Sequence, residues 1–304
     1  MTESVLNNTT NAEFIPTIIA QKALQRMSSY LSLARTISRS SDWATAEFGA
    51  TINVPKTGAV TARDKTAGDT FTKQNPTATS VSVTLNKHKE VTITIDDVTK
   101  VLENQDTQSR YANDGAIALA EAVETDVANL HTSLENTVTW DRTSAATIDT
   151  SLLLIRKFFT DKKVPKLEQR YFWADGTVYN DILKQEKYTN QSWRGNNNTV
   201  AEGTVVRTYG LEIAECQLIA TSGSPVAYHN LAYTPNGFVL ASRPLPKPVG
   251  FGGNYAVIND PGIGISMRTL FWYNADIGAH QLTLDLLYGV AVLDQDRVVE
   301  VESF

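Results

Sequence analysis

Four histidines (His88, His131, His229 and His280), one cysteine (Cys216) and the carboxylate pair Asp96-Asp97 are the side chains here best suited to acid–base, nucleophilic or metal chemistry. Their spacing does not assemble them. The histidines stand singly, with no H-E-x-x-H and no second cysteine, so no zinc-ligand set is written into the chain and each histidine reads as structural. Cys216 falls inside a strand-like stretch, where a thiol is buried and inert. No G-x-S-x-G occurs, and adjacent carboxylates at a helix start are more simply caps for its free N–H groups than an acid–base pair. Neither Gly250-Phe-Gly-Gly253 nor Gly262-Ile-Gly264 completes a G-x-G-x-x-G between a strand and a helix, and there is no G-x-x-x-x-G-K-[ST]; both glycine clusters read as turns. Without a triad, a metal set or a phosphate loop, the expectation is a protein that is not an enzyme and that takes no cofactor or metal.

The bulk properties narrow the class further. The 304 residues, 42% hydrophobic and 20% charged, are enough for a substantial core in about two lobes. A formal charge of -6 argues against a chain that holds nucleic acid by neutralising phosphates. A single cysteine leaves no intramolecular disulfide, which fits a reducing compartment. No apolar run approaches membrane-spanning length, and Met1-Thr-Glu-Ser-Val lacks the basic and apolar regions of a signal peptide. These features point to a soluble protein made in the cytoplasm.

The longest element that could position anything is a helix following the strand-like Glu90-Val-Thr-Ile-Thr-Ile-Asp-Asp97. Gly115, Leu119, Val123, Val127, Leu130 and Leu134 recur at spacings of three and four and form one stripe, while Asp114, Glu121, Glu124 and Asp126 occupy the opposite, outer side. With Asp106 as N-cap, the helix runs over roughly 28 residues, about 42 Å. Upstream, residues 1 to 15 are polar, and a helical pattern from Ile18 to Ile37 buries Ala20, Leu24, Met27 and Leu31. The only charges from Phe14 to Ser41 are Lys22, Arg26, Arg35 and Arg39, so this arm is basic in an acidic protein.

Between arm and long helix, Thr51-Ile-Asn-Val54 reads as a strand closed by Pro55, and the strictly alternating Val81 to Ile95 as its return. They pair as a long hairpin whose polar tip, Gly58 to Pro76, carries Arg63, Asp64, Lys65, Asp69 and Lys73. A two-stranded ribbon is marginal alone, so this one needs a surface to lie on. Lys87 and Lys89 break its apolar face and mark where it leaves the core. Downstream come a helix over Thr147 to Lys163, a strand Tyr171 to Ala174, a short helix Val178 to Lys187, and an Asn-rich loop from Gln191 to Thr199. Strands are expected at Thr204–Tyr209, Leu211–Ile219, Pro225–Tyr228, Gly237–Leu240, Ile263–Tyr273 and from His280 through Leu293 to Val301, with Pro244 to Gly253 irregular. The whole is α+β.

This order of elements resembles the major capsid proteins of tailed bacteriophages, the Hong Kong 97-type fold. Leu85 to Asp97 looks like the passage from the extended β-hairpin, or E-loop, into the peripheral domain, and Ala112 to Leu134 looks like the spine helix. Val164-Pro165, Arg170 to Ala174, Gly203 to Ala214 and Ala227 to Ala232 look like successive pieces of the axial domain. Asp260 to Arg268 and Leu287 to Val292 resemble the closing strands. The implied division is an N-terminal arm (1–48), an E-loop hairpin (49–80), a peripheral domain with the spine helix (81–140 and 265–304) and an axial domain (141–264).

The resemblance implies a structural protein that forms hexamers and pentamers and closes into an icosahedral shell around double-stranded DNA, in a virion assembled in the host cytoplasm. DNA would be enclosed without sequence-specific binding, a portal protein would join the shell, and no membrane is involved. An arm beginning almost at Met1 leaves no room for a cleaved scaffolding segment, which implies a separate scaffolding protein. Intersubunit contacts are expected from the hairpin tip, and from Lys22, Arg26, Arg35 and Arg39 meeting acidic surface at Glu121, Glu124 and Asp126 on a neighbour or on the chain's own spine helix. The alternatives are an encapsulin-like nanocompartment shell and an α+β enzyme or carbohydrate-binding protein.

Overall fold

A computed structural model describes residues 14–39, 51–56, 58, 60–96, 107–189, 203–205, 207–260 and 262–304. In chain order, helix α1 (Phe14–Tyr30) and the single turn α2 (Leu33–Thr36) precede a two-residue strand β1 (Ser38–Arg39). Strands β2 (Thr51–Lys56), β3 (Thr79–Thr84) and β4 (Lys87–Asp96) lead to α3 (Thr107–Ala128), which tightens into a 3-10 turn, Asn129–Ser133. Then come β5 (Thr137–Thr139), α4 (Ala145–Asp161), β6 (Tyr171–Ala174), α5 (Gly176–Leu183), α6 (Glu186–Thr189), β7 (Glu212–Glu215), β8 (Ala220–Ser222) and β9 (Ala227–Tyr233). The chain closes with β10 (Phe238–Arg243), β11 (Asn254–Asp260), β12 (Ile265–Asn274), β13 (Ala279–Val292) and β14 (Val298–Ser303).

The strands form two large sheets and one ribbon. The first sheet runs β1-β10-β13-β12-β11, with β4 also paired to β13; the second runs β5-β14-β9-β6-β7, with β8 on β9. Strands β10 and β11 thus belong with β12 and β13, while β14 belongs with β9. The expected division into 81–140 plus 265–304 against 141–264 therefore does not follow sheet membership. The reason is long-range antiparallel pairing, Phe238–Arg243 on Leu287–Val292 and Val298–Ser303 on Tyr228–Tyr233, which local pattern does not encode.

One face of the first sheet is covered by α3 and α1. The stripe of α3 is buried at Gly115, Leu119, Val123 and Val127, with Leu130 and Leu134 half-buried. A Cβ on Gly115 would sit 3.2 Å from Val91 and 3.3 Å from Leu284, so glycine lets the helix press onto β4 and β13. The regular α-helix is 22 residues, about 33 Å, shorter than the periodicity predicts because its last turn tightens. Its N-cap at Asp106 lies outside the described residues, as do Asp97 and the Asn-rich loop. Helix α1 buries Ala23, Leu24 and Met27 in the same core, Ala20 is buried as well, and Leu31 beyond the helix closes that face.

The second sheet packs on α4 and α5. Ile148, Leu152, Ile155 and Phe159 of α4 meet Phe172, Ala232, Val299 and Val301. Ser144 caps α4 reciprocally with Thr147, and Asp175 caps α5 through the N–H groups of Thr177 and Val178. Thr204 to Tyr209, expected as a strand, contributes one isolated bridge, Thr208 to Leu211, and β11 occupies a stretch the pattern leaves unassigned.

Candidate assembly surface

The hairpin forms but is shorter than its alternation predicts, since the return limb ends at Thr84 instead of continuing to Ile95, and Pro55 sits within β2 rather than ending it. Thr51–Lys56 pairs with Thr79–Thr84, and the inner residues Ile52, Val54, Val83 and Leu85 pack on Val239 and Ala241 of β10. The ribbon's base therefore rests on its own chain. Lys56 adds a 2.8 Å ion pair to Asp294. At Gly289 a Cβ would lie 2.2 Å from the Thr84 carbonyl, so glycine is what lets the ribbon cross β13. The continuous parity of the sequence conceals a break at Leu85-Asn86, after which β4 joins the first sheet over ten residues.

Beyond the paired strands the limbs run together without a ladder. A Cβ on Gly58 would meet the Thr77 carbonyl at 2.6 Å. Gln74 substitutes for a backbone partner, its amide donating to Thr61 O at 2.5 Å and accepting from Thr61 N at 3.0 Å. The tip turns at Thr66, whose carbonyl accepts from Asp69 N. Arg63, Asp64, Lys65, Asp69 and Lys73 are all exposed here, and none pairs with an opposite charge among the described residues. Phe71, which no periodic pattern marks, stands among them 84% exposed with Lys65 Nζ 4.7 Å above its ring. One aromatic in a polar stretch gives no periodic signal; its isolation among polar residues is its only mark in the sequence.

Of the acidic residues expected to meet the basic arm at a surface, Glu124 and Asp126 are buried. Lys22, Arg26 and Arg35 point to solvent; Arg26 lies over Tyr30, and Arg39 donates to the Arg35 carbonyl and packs beside Gly264. Glu121 and Asp114 are exposed as expected. Glu124 is not on an outer face: it is 2% exposed, and its oxygens accept from the backbone N–H of Ser32, Leu33 and Ala34 at 2.8, 2.9 and 3.0 Å. It meets the arm through main chain, not through an arginine, because the break after α1 aims the first N–H groups of α2 at it. Burial raises its pKa, and those N–H groups pull against that rise.

Asp126 is also buried, and it accepts from Tyr288 Oη at 2.5 Å and Lys87 Nζ at 2.9 Å, with Lys89 at 3.6 Å. Burial pushes its pKa up, but the Tyr288 and Lys87 contacts prevail and hold it below the ordinary carboxylate value. The two lysines that interrupt the strand pattern thus fasten the hairpin's root to α3.

The chemistry-capable residues are mostly structural. Cys216 is buried, which pushes its thiol up to about 11. His88 lies 3.3 Å from Asp285, which Arg268 also engages. His131 and His229, far apart in sequence, come together with Glu300, their ligand-capable atoms within 4.8 Å of one another. Sequence spacing could not show this, because the pairing of β14 with β9 creates it. No helix among the described residues is long and apolar enough to cross a membrane.

Neither a protein-family model nor a curated protein matches the sequence. Solved structures do match the fold. A chain of Mycobacterium phage Che8 superposes with a TM-score of 0.65 at 17% identity, covering 89% of this chain and 90% of that one. The capsid structure of cyanophage P-SCSP1u gives 0.62 at 14% identity, covering 88% and 86%. A virus-like particle from Pyrococcus furiosus gives 0.52 at 10% identity, covering 95% and 99%. Over nearly its whole length, this chain has the fold found in phage capsids.

Proposed function

We propose that the chain is the major capsid protein of a tailed bacteriophage, a structural subunit that assembles with copies of itself into the icosahedral shell enclosing the DNA. The observation that carries this beyond the fold is the hairpin, rooted firmly in its own subunit and carrying at its tip an exposed Phe71 and charges of both signs that have no opposite-charge partner among the described residues. Such a reach suits a head-to-tail contact repeated around rings, as hexamers and pentamers require. In this reading the hairpin is the E-loop, α3 the spine helix, the first sheet the peripheral domain and the second sheet the axial domain. Residues 14–39 are docked on their own chain, so the hairpin rather than this part of the arm does the reaching. A separate scaffolding protein, a portal and assembly in the host cytoplasm complete the proposal, and the net charge of -6 suits a shell that encloses DNA without condensing it.

A nanocompartment shell is the second reading, favoured by the near-complete overlap with the Pyrococcus furiosus particle. The two readings separate on contents, nucleic acid in one and a cargo protein in the other. The test of either shell is to replace Ala59 to Asn75 by a short glycine-containing turn. The tip buries little apolar surface, at about 25 cal/mol per Å², so the shortened chain should unfold cooperatively near the parental midpoint. Electron microscopy should then show no closed particles; normal shells from this variant would remove the assembly role.

A further inference from the structure

Three ionisable side chains meet where the end of α3 joins the second sheet. His131, in the 3-10 turn after α3, and His229, in β9, have ring centroids 3.9 Å apart and planes 14° from parallel. Both direct Nδ1 at one atom, Oε1 of Glu300 in β14, at 3.3 Å and 2.5 Å. His229 Nε2 lies 2.6 Å from Ser222 Oγ of β8, and Thr137 of β5 donates to Glu300 Oε2 at 3.3 Å. Glu302 adds a second negative charge acting on His131. His229 and Glu300 are buried and His131 is half-buried.

Two histidines and a carboxylate are a familiar metal-binding set, but these rings are wrongly disposed for one. An ion bound by an imidazole lies in the ring plane, about 2.0–2.1 Å from nitrogen. Rings this close must be face to face, and one point cannot lie in two nearly parallel planes.

The arrangement suits protons. Two neutral rings, each protonated at Nδ1, both donate to Glu300, leaving Nε2 of His229 to accept from Ser222. We propose that this triad is a proton-operated joint: neutral, it holds the end of α3 on the second sheet, and when mild acid protonates both rings, two like charges stacked at 3.9 Å push the 3-10 turn off that sheet. Burial, and next the neighbouring His229, hold the pKa of His131 below the ordinary value, with Glu300 and Glu302 opposing, which fits a native state that resists the second proton.

Hydrogen exchange of the full chain, corrected for intrinsic rates, tests the joint. Between pH 7.5 and 5.0, exchange across 129–139 should rise at least tenfold while β12 and β13 stay protected. His131→Gln and His229→Gln should each abolish most of that rise. Equal protection at both pH values, or a rise that survives in both variants, overturns the proposal. So does protection gained with zinc at pH 7.5 in the parent but not in H229Q, which would make the triad a metal site. Should the variants fold poorly, NMR titration of the parent decides: His131 titrating below the free-histidine range supports the joint, and both rings titrating as isolated histidines overturns it.

Discussion

Glu124 shows how one carboxylate can fix the path of a chain. It receives three backbone N–H groups and the Ser32 hydroxyl, so it caps a helix from a different element. Glu124→Ala strands buried donors at Leu33 and Ala34 and should cost roughly 2–4 kcal/mol in urea unfolding, with Glu124→Gln recovering part of it. The two buried carboxylates of α3 respond to pH in opposite senses. Glu124 has its folded pKa raised above the ordinary 4.5, so its contribution is fully present below that value and declines as pH rises through the folded pKa. Asp126 is depressed below 3.8, so its contribution is present above that value and is lost as pH falls through the folded pKa. Asp126→Asn should therefore lose stability at neutral pH and show a shallower acid transition, measured by thermal unfolding from pH 7 to 3.

At the level of elements, the crossing of ribbon and sheet depends on one missing side chain. Gly289→Ala places a methyl against the Thr84 carbonyl, which is backbone and cannot swing aside. It should lower the melting temperature by several degrees for about 1–3 kcal/mol of overpacking, and should loosen β2 and β3 in hydrogen exchange more than β12. Elements with a local signature were legible in the sequence. Spacing marks the buried faces of α1, α3 and α4, and alternation marks the hairpin's base but not the break at which its return limb passes to another sheet. What stayed hidden was set by contacts between distant segments. Nothing near Glu124 says that α2 will deliver its N–H groups there, and the placement of β10 and β14 in different sheets follows from pairing alone. The candidate surface is half visible in the sequence: the charges at the tip are evident, Phe71 carries no periodic signal, and the acidic face of α3 is half internal.

For the whole molecule, association should be tunable by salt. Lys22, Arg26, Arg35 and the tip charges are exposed, while Glu121 is the acidic residue of α3's expected contact set that stays open to solvent. Each exposed pair is worth about 0–1 kcal/mol, so only a group of them matters. Screening shortens to about 3 Å at 1 M salt, and if the proposed assembly rests on these charges, sedimentation should show its oligomers giving way to monomers as salt rises from 0.05 to 1 M. Equal stability across that range would mean that the contacts between subunits are apolar, with Phe71 the first residue to replace.

The break at Leu85-Asn86 has a mechanical consequence. Strand β4 is fixed along ten residues to β13, the strand that also pairs with β12 and β10, while the exposed tip belongs to the limb on the other side of the break. A pull on the tip along the strand axis loads that ladder in shear, so its bonds share the tension instead of opening in turn as they do when a hairpin is peeled apart. Tension arriving from outside would be borne by the central strand of the first sheet, and the hairpin would serve as a strap.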